Sequence, residues 1–281
     1  MGIKNLVYAG SGSLLPAYAG ATEELFKNID STAIERICGT SGGSIYGYLL
    51  ILHSMDAKKV TKYLIDLNFK DFFDNSFGVF RDTWRLIRKG GWNKGEKILK
   101  VLSKITLEKT GKKDINFSQL NDFFGIDFTV VVTDAERSKA IYCSYKSTPD
   151  LSVIEAVRRS MSIPLVFVPR SDKEGTYVDG GVCNNFAIDV FDRFGEPSET
   201  LGFKLIEQGK QDERVSVKGL AGMIKAVRRC WLRPQFSYDS SGLSRTIFIP
   251  DGKKSGMDPL DNTEKRLLIN NGKIATEEFF R

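Results

Sequence analysis

Apolar and polar positions along the 281-residue chain alternate between strand-like and helix-like textures. Residues 3–9, IKNLVYA, are a short apolar run with the length of a buried strand. The turn residues GSGS follow, and a helix-like stretch runs from about Leu14 to Asn28. ERIC, residues 35–38, is a second short strand, and a helix is predicted from about Gly42 to Met55. Strand, helix, strand, helix over the first 55 residues predicts a parallel sheet with helices packed on its faces. Further along, 128–133 (FTVVVT) and 139–144 (KAIYCS) read as strands joined by a turn in DAERSK. Residues 152–161 read as a helix that Pro164 prevents from running on. TYVDGG (176–181) is a strand ending in a glycine turn, and TLGFKLI (200–206) is another strand. The fold class is α/β.

Two regions depart from this pattern. Residues 56–125 are rich in bases and aromatics and read as helices with glycine breaks, an insertion or lid. Residues 207–281 are basic and irregular, an extension of the sheet-forming region 1–206. Charge sharpens the contrast. The net charge is +6, but residues 81–113 hold eleven Lys or Arg against three acidic residues, and 218–233 hold five bases and no acid. Such local basicity suits an anionic partner, a phospholipid surface or nucleic acid. No nucleic-acid recognition motif accompanies it. Leu220, Met223, Ile224, Val227 and Trp231 fall on one helical face, which either lies on anionic lipid or packs on the core. Phe72, Phe73, Phe77, Phe80, Trp84 and Trp92 either wall an acyl entrance or pack within the insertion.

No apolar run reaches the roughly 18 residues of a membrane span. The first twenty residues lack a basic leader with an apolar core, and Leu6 breaks the myristoylation pattern. The expected location is cytoplasmic, with peripheral membrane contact. Cys38, Cys143, Cys183 and Cys230 are isolated and read as reduced thiols. With a single histidine, His53, no metal or cofactor is called for.

The chemistry concentrates at one corner. Gly39-Thr40-Ser41-Gly42-Gly43 matches G-x-S-x-G, with a strand before it and a helix after it. A strand that turns sharply into a helix holds the serine at the apex, over amides that favour a developing anion. Ser41 is then a nucleophile, or the corner is a structural helix start. His53 cannot serve as its base: it lies 12 residues down the same helix, roughly 18 Å along the axis. A carboxylate in a desolvated cleft is the natural candidate, and Asp179, ahead of Gly180 and Gly181, stands at a strand end. Alone, that segment also reads as a plain Asp-Gly turn. Backbone amides of Gly10, Ser11 and Gly12, with Gly42, could hold an oxyanion. The same loop fails the dinucleotide fingerprint, because residue 15 is Leu.

Taken together, the sequence resembles the patatin-like phospholipases, serine lipid acyl hydrolases with a Ser–Asp dyad. The resemblance rests on five blocks in order: residues 5–25, 37–50 (ICGTSGGSIYGYLL), 128–144, 151–169 and 177–191 (YVDGGVCNNFAIDVF). It implies a three-layer fold, with a central, mostly parallel sheet and helices on both faces. It places the family serine on Ser41 and the family aspartate on Asp179, and SMSIP (160–164) matches a Ser-x-x-Ile-Pro segment that shapes the site. It implies a phospholipid or other acyl-lipid substrate and phospholipase A-type ester cleavage. One departure stands out. The family loop G-G-G-x-Arg/Lys-Gly reads Gly10-Ser11-Gly12-Ser13-Leu14-Leu15 here, without the base and the last glycine. A silent, lipid-binding relative is therefore the alternative reading.

Overall fold

A computed structural model describes residues 2–68, 91–207, 240–253, 256 and 259–281. The aromatic run over 70–90 and the amphipathic stretch 218–232 lie outside the described residues, as does Cys230.

Strand β1 (Asn5–Tyr8) leads through the glycine loop into helix α1 (Pro16–Leu25). Strand β2 (Arg36–Thr40) leads through Ser41 into helix α2 (Gly42–Leu52), and α3 (Ala57–Asp66) follows. After the undescribed stretch come β3 (Gly91–Asn93), α4 (Glu96–Thr110) and α5 (Phe117–Phe124). Strands β4 (Asp127–Asp134) and β5 (Lys139–Cys143) form a hairpin, followed by α6 (Val153–Ser160). Then come β6 (Leu165–Phe167), β7 (Arg170–Ser171), β8 (Thr176–Asp179), β9 (Thr200–Ile206), β10 (Thr246–Pro250) and α7 (Asn262–Phe279). The helix after the first loop begins at Pro16, not Leu14, because a 3-10 turn over Gly12–Leu14 completes the loop first.

The main sheet has the order β10-β9-β1-β2-β4-β8-β7. From β10 to β4 every pairing is parallel, whereas β5, β8 and β7 run antiparallel to their neighbours. Side-chain alternation sorts the central strands onto two faces. Leu6, Tyr8, Ile37, Phe128, Val130 and Val132 join the large core beneath α1 and α2. Val7, Ala9, Cys38 and Val131 face the other way, against Phe186, Ile188 and Phe191. All eleven residues of α2 are buried, which is why its sequence is apolar all round. Tyr8 anchors the core at this end: its ring stacks on Phe203 at 4.9 Å, and Thr22 Oγ1 lies 2.9 Å from its hydroxyl.

One edge of β4 brings two distant strands together. β5 takes residues 130–134 on one side, so β2 and β8 must share the other. There Thr40 is in register with Val131 and Asp179 with Val132. Because β8 runs against β2, the two strands end nose to nose. Asp179, the last residue of β8, thus meets Ser41, the residue after β2, 138 positions away in sequence.

The C-terminal segment is built into the same unit. β10 extends the sheet beyond β9, and α7 lies against α1 through two reciprocal glycines. A methyl group on Gly20 would strike the Ile269 carbonyl, and one on Gly272 the Ala17 carbonyl. Backbone cannot yield as a side chain would. Gly272→Ala is expected to cost about 1–3 kcal/mol, seen as a melting temperature lower by roughly 2–4 °C per kcal/mol. An unchanged melting curve would mean that the helices do not approach this closely.

Candidate active site

The corner after β2 is tight because small residues surround it. A methyl on Gly43 would strike the Tyr8 carbonyl and come within 2.5 Å of the Ala9 carbonyl, so α2 starts directly on the end of β1. Ser41 itself takes φ 50° and ψ −122°, a conformation few non-glycine residues adopt. Such a backbone costs about 1–3 kcal/mol and persists only when its surroundings over-determine it. Here they do. The Ser41 N–H donates to Ser160 Oγ at 2.8 Å, and Ser160 Oγ donates to the Val131 carbonyl at 2.6 Å. The Ser41 carbonyl accepts from the Ser44 amide and from Ser44 Oγ.

Ser41 Oγ donates to Asp179 Oδ2 at 2.6 Å. Both residues are only 6% exposed. The other carboxylate oxygen, Oδ1, accepts the Gly181 amide at 2.7 Å, and the Asp179 N–H donates to the Ser162 carbonyl at 2.9 Å. Burial pushes the Asp179 carboxyl up to about 6; the hydrogen bonds from Ser41 and Gly181 pull the other way and only partly offset it. A carboxylate with that affinity for protons, in contact with an alcohol, can accept the alcohol's hydrogen during attack on a carbonyl.

His53 takes no part. It closes the far end of α2, where Nδ1 lies 2.9 Å from the Leu49 carbonyl and the ring packs 5.7 Å from that of Tyr63. Burial lowers its proton affinity.

The glycine loop lies over the first turn of α2. A methyl on Gly42 would strike the Gly12 carbonyl and reach within 2.5 Å of Ser11 Oγ. Gly12 has φ +57°, and its missing side chain leaves room for the carbonyl of Gly256, which accepts the Ser13 amide at 2.8 Å. One expectation for this loop is corrected. The Gly10 amide does not face the cleft as a spare donor, because it donates to the Asn185 carbonyl at 3.0 Å. Among the described residues, no group accepts the Ser11, Gly12 or Gly42 amides. These sit at the positive end of α2, where a developing anion is favoured.

Sequence reasoning singles out SMSIP only as a segment that shapes the site. In the folded chain, Ser160 fixes the Ser41 amide, and Ser162 fixes the Asp179 amide. Arg158, wholly buried, locks the segment. Its guanidinium donates to Ser162 Oγ at 2.6 Å and to the carbonyls of Lys94 and Val168, and it lies over the Phe167 ring. Nothing in the spacing of these residues announces the bonds to Ser41 and Lys94, since each crosses between elements remote in sequence. Asn184 ties the Asp-Gly-Gly turn to both strands: its carbonyl accepts from Thr40 Oγ1 and its side chain donates to Tyr142.

Known proteins resemble this chain in sequence and in fold. "Probable lipid hydrolase 463L" of Invertebrate iridescent virus 6 is 29% identical over 191 residues, covering 66% of this chain and 62% of that protein. "Uncharacterized protein R571" of Acanthamoeba polyphaga mimivirus is 29% identical over 213 residues, 75% of this chain and 68% of that protein. Among solved structures, VipD from Legionella pneumophila superposes with a TM-score of 0.66 at 18% identity, covering 99% of this chain and 67% of that one. The type III effector ExoU superposes with a TM-score of 0.53 at 14% identity, covering 99% of this chain and 53% of that one. These two likenesses establish the fold. Residues 6–192 match the model of the patatin-like phospholipases, and a match over more than half its length means that the chain belongs to the patatin-like phospholipase family.

Proposed function

We propose that the protein is a phospholipase A-type lipid acyl hydrolase working through Ser41 and Asp179. The observation that carries this reading is the 2.6 Å hydrogen bond from Ser41 Oγ to a buried carboxylate. As Oγ bonds to the ester carbonyl carbon, its proton passes to Asp179 Oδ2 and the carbonyl electrons move onto oxygen. The Ser11, Gly12 and Gly42 amides stabilise that oxyanion. Its collapse expels the lyso-lipid alkoxide, which leaves with the proton from Asp179. Water then attacks the acyl-enzyme, giving its proton to Asp179, and the fatty acid departs as Ser41 is restored. No step needs a metal ion.

The test is release of fatty acid and lysophospholipid from phosphatidylcholine and phosphatidylglycerol vesicles, with fluorophosphonate labelling mapped to Ser41. Vesicle binding with no ester cleaved and no labelling at Ser41 would point to the silent lipid-binding alternative. Faster turnover on anionic vesicles is the result expected if the basic segments meet the membrane. No helix among the described residues is long and apolar enough to cross one.

Ser160 offers a second check. Ser160→Ala leaves the buried Ser41 amide without an acceptor, a loss of about 1–3 kcal/mol in local stability. Turnover per labelled site should fall about 10- to 100-fold, because small misplacements of a nucleophile are costly. With Ser41 no longer held against it, Asp179 loses a hydrogen bond that favours its ionised form, so the acid limb of the pH–rate profile moves up. A drop in melting temperature with no change in that limb would make Ser160 a packing residue only.

A further inference from the structure

The glycine loop is one donor short, since the Gly10 amide is spent on the Asn185 carbonyl. That same bond pins Asn185 to the glycine loop. A methyl on Gly10 would strike Asn185 Oδ1 while lying 3.5 Å from Ser41 Cβ. A methyl on Gly181 would meet Asn185 Oδ1 at 2.6 Å and Asp179 Oδ1 at 3.0 Å. The carboxamide is therefore wedged between the glycine loop and the Asp-Gly turn, with the nucleophile on one side and its base on the other. Asn184, its neighbour, is fully employed: its amide donates to the Tyr142 hydroxyl and its oxygen accepts the Phe186 amide. The Asn185 side chain is half-buried, and among the described residues it makes no hydrogen bond. Two adjacent asparagines thus have opposite roles, one holding the turn and the other presenting an unengaged polar group beside Ser41.

We propose that the Asn185 carboxamide is a catalytic residue, donating an N–H to the oxyanion formed when Ser41 attacks the ester. The inference rests on the hydrolase reading above. The chemistry suits the group. A carboxamide carries two donors at one end, and rotation about its last torsion brings either end toward the cleft. A neutral donor also stabilises charge on the substrate without adding a charge beside Asp179. A side-chain amide in such a position typically contributes about 10²- to 10³-fold to turnover.

The experiment compares wild type with Asn185→Ala and Asn185→Asp, each rate divided by the number of sites a fluorophosphonate labels. Three quantities are read: kcat and KM for a soluble ester, the acid limb of the pH–rate profile for Asn185→Ala, and the inhibition constant of a trifluoromethyl ketone. That ketone accepts Ser41 Oγ at its carbonyl carbon and becomes an oxyanion, with the serine proton passing to Asp179. Both variants should lose about 100-fold or more in kcat at similar KM. Asn185→Ala should lose ketone affinity by a similar factor, with its acid limb unmoved. Asn185→Asp keeps the size of the side chain while replacing the donors with a charge, so a loss it shares with Asn185→Ala is not one of packing, and Asn185→Ala is the variant free of added charge. Wild-type-like turnover in either variant overturns the proposal. So does an Asn185→Ala enzyme that keeps its ketone affinity and shifts its acid limb, which would assign the amide to Asp179 instead. A wild-type enzyme that cleaves no ester fails at the earlier step and overturns the hydrolase reading itself.

Discussion

Ser41→Ala abolishes fatty-acid release and fluorophosphonate labelling together, and Asp179→Asn lowers turnover by a comparable factor in a chain that stays folded. A loss of about 10⁴-fold or more is expected for each, because members of a catalytic unit that act together are grossly non-additive. The double variant should therefore be no worse than either single one. The two differ in what survives. Ser41→Ala has no nucleophile. Asp179→Asn keeps the alcohol in place but leaves its proton without an acceptor of adequate basicity. Slow labelling of Asp179→Asn that quickens as pH rises would show hydroxide taking over from the carboxylate. The outcome that contradicts the mechanism is retention of more than about a tenth of wild-type kcat in either variant.

The second large effect is the dependence on pH, in rate and in stability. As the proposed base, Asp179 must be ionised, and burial pushes its carboxyl up to about 6. The profile of kcat/KM should be flat above about pH 7 and fall about tenfold for each pH unit below about 6. Stability runs the opposite way. The folded-state pKa lies above that of an exposed aspartate, so the native state holds this proton more tightly than the unfolded chain does. The stabilisation is fully present below about pH 4 and is lost as pH rises through about 6. At about pH 8 the ionised group costs about 3 kcal/mol relative to the protonated one. Asp179→Asn has no charge to bury. It should melt above wild type at about pH 8, with the gap closing toward about pH 4. Thermal denaturation of both proteins at the two pH values measures it; a gap that does not depend on pH would mean that Asp179 is not desolvated as described.

Local chemistry makes part of this legible before any fold is known. The G-x-S-x-G corner between an apolar strand and an apolar helix carries its own geometry, so Ser41 stands out within five residues. The strands read at 3–9, 35–38 and 200–206, found at Asn5–Tyr8, Arg36–Thr40 and Thr200–Ile206, and the helix closed ahead of Pro164 follow from runs and breakers a few residues long. By contrast, Asp179 by itself is an aspartate before two glycines, a pattern any turn shares. Its standing as a candidate rests on the lack of a usable histidine and on the resemblance of ordered blocks. Ser160, Asn185 and the spent Gly10 amide give no signal of their own, because a hydroxyl, a carboxamide or an N–H acquires its role only from what lies opposite it.

β10 and α7 fall in a segment that the sequence leaves irregular, but within residues 3–206 the sequence by itself determined the central strands, the helices that follow them and the bent corner that lifts Ser41 onto the start of a helix. These depend on contacts within a few residues, where composition and spacing leave little choice. Only the tertiary structure decided which carboxylate meets that serine, which amides remain to receive a charge, and how strongly Asp179 holds a proton. Those properties arise where β2 and β8 end against one edge of β4 and Ser41 and Asp179 become buried. Register and desolvation belong to the assembled sheet, and no single segment contains them.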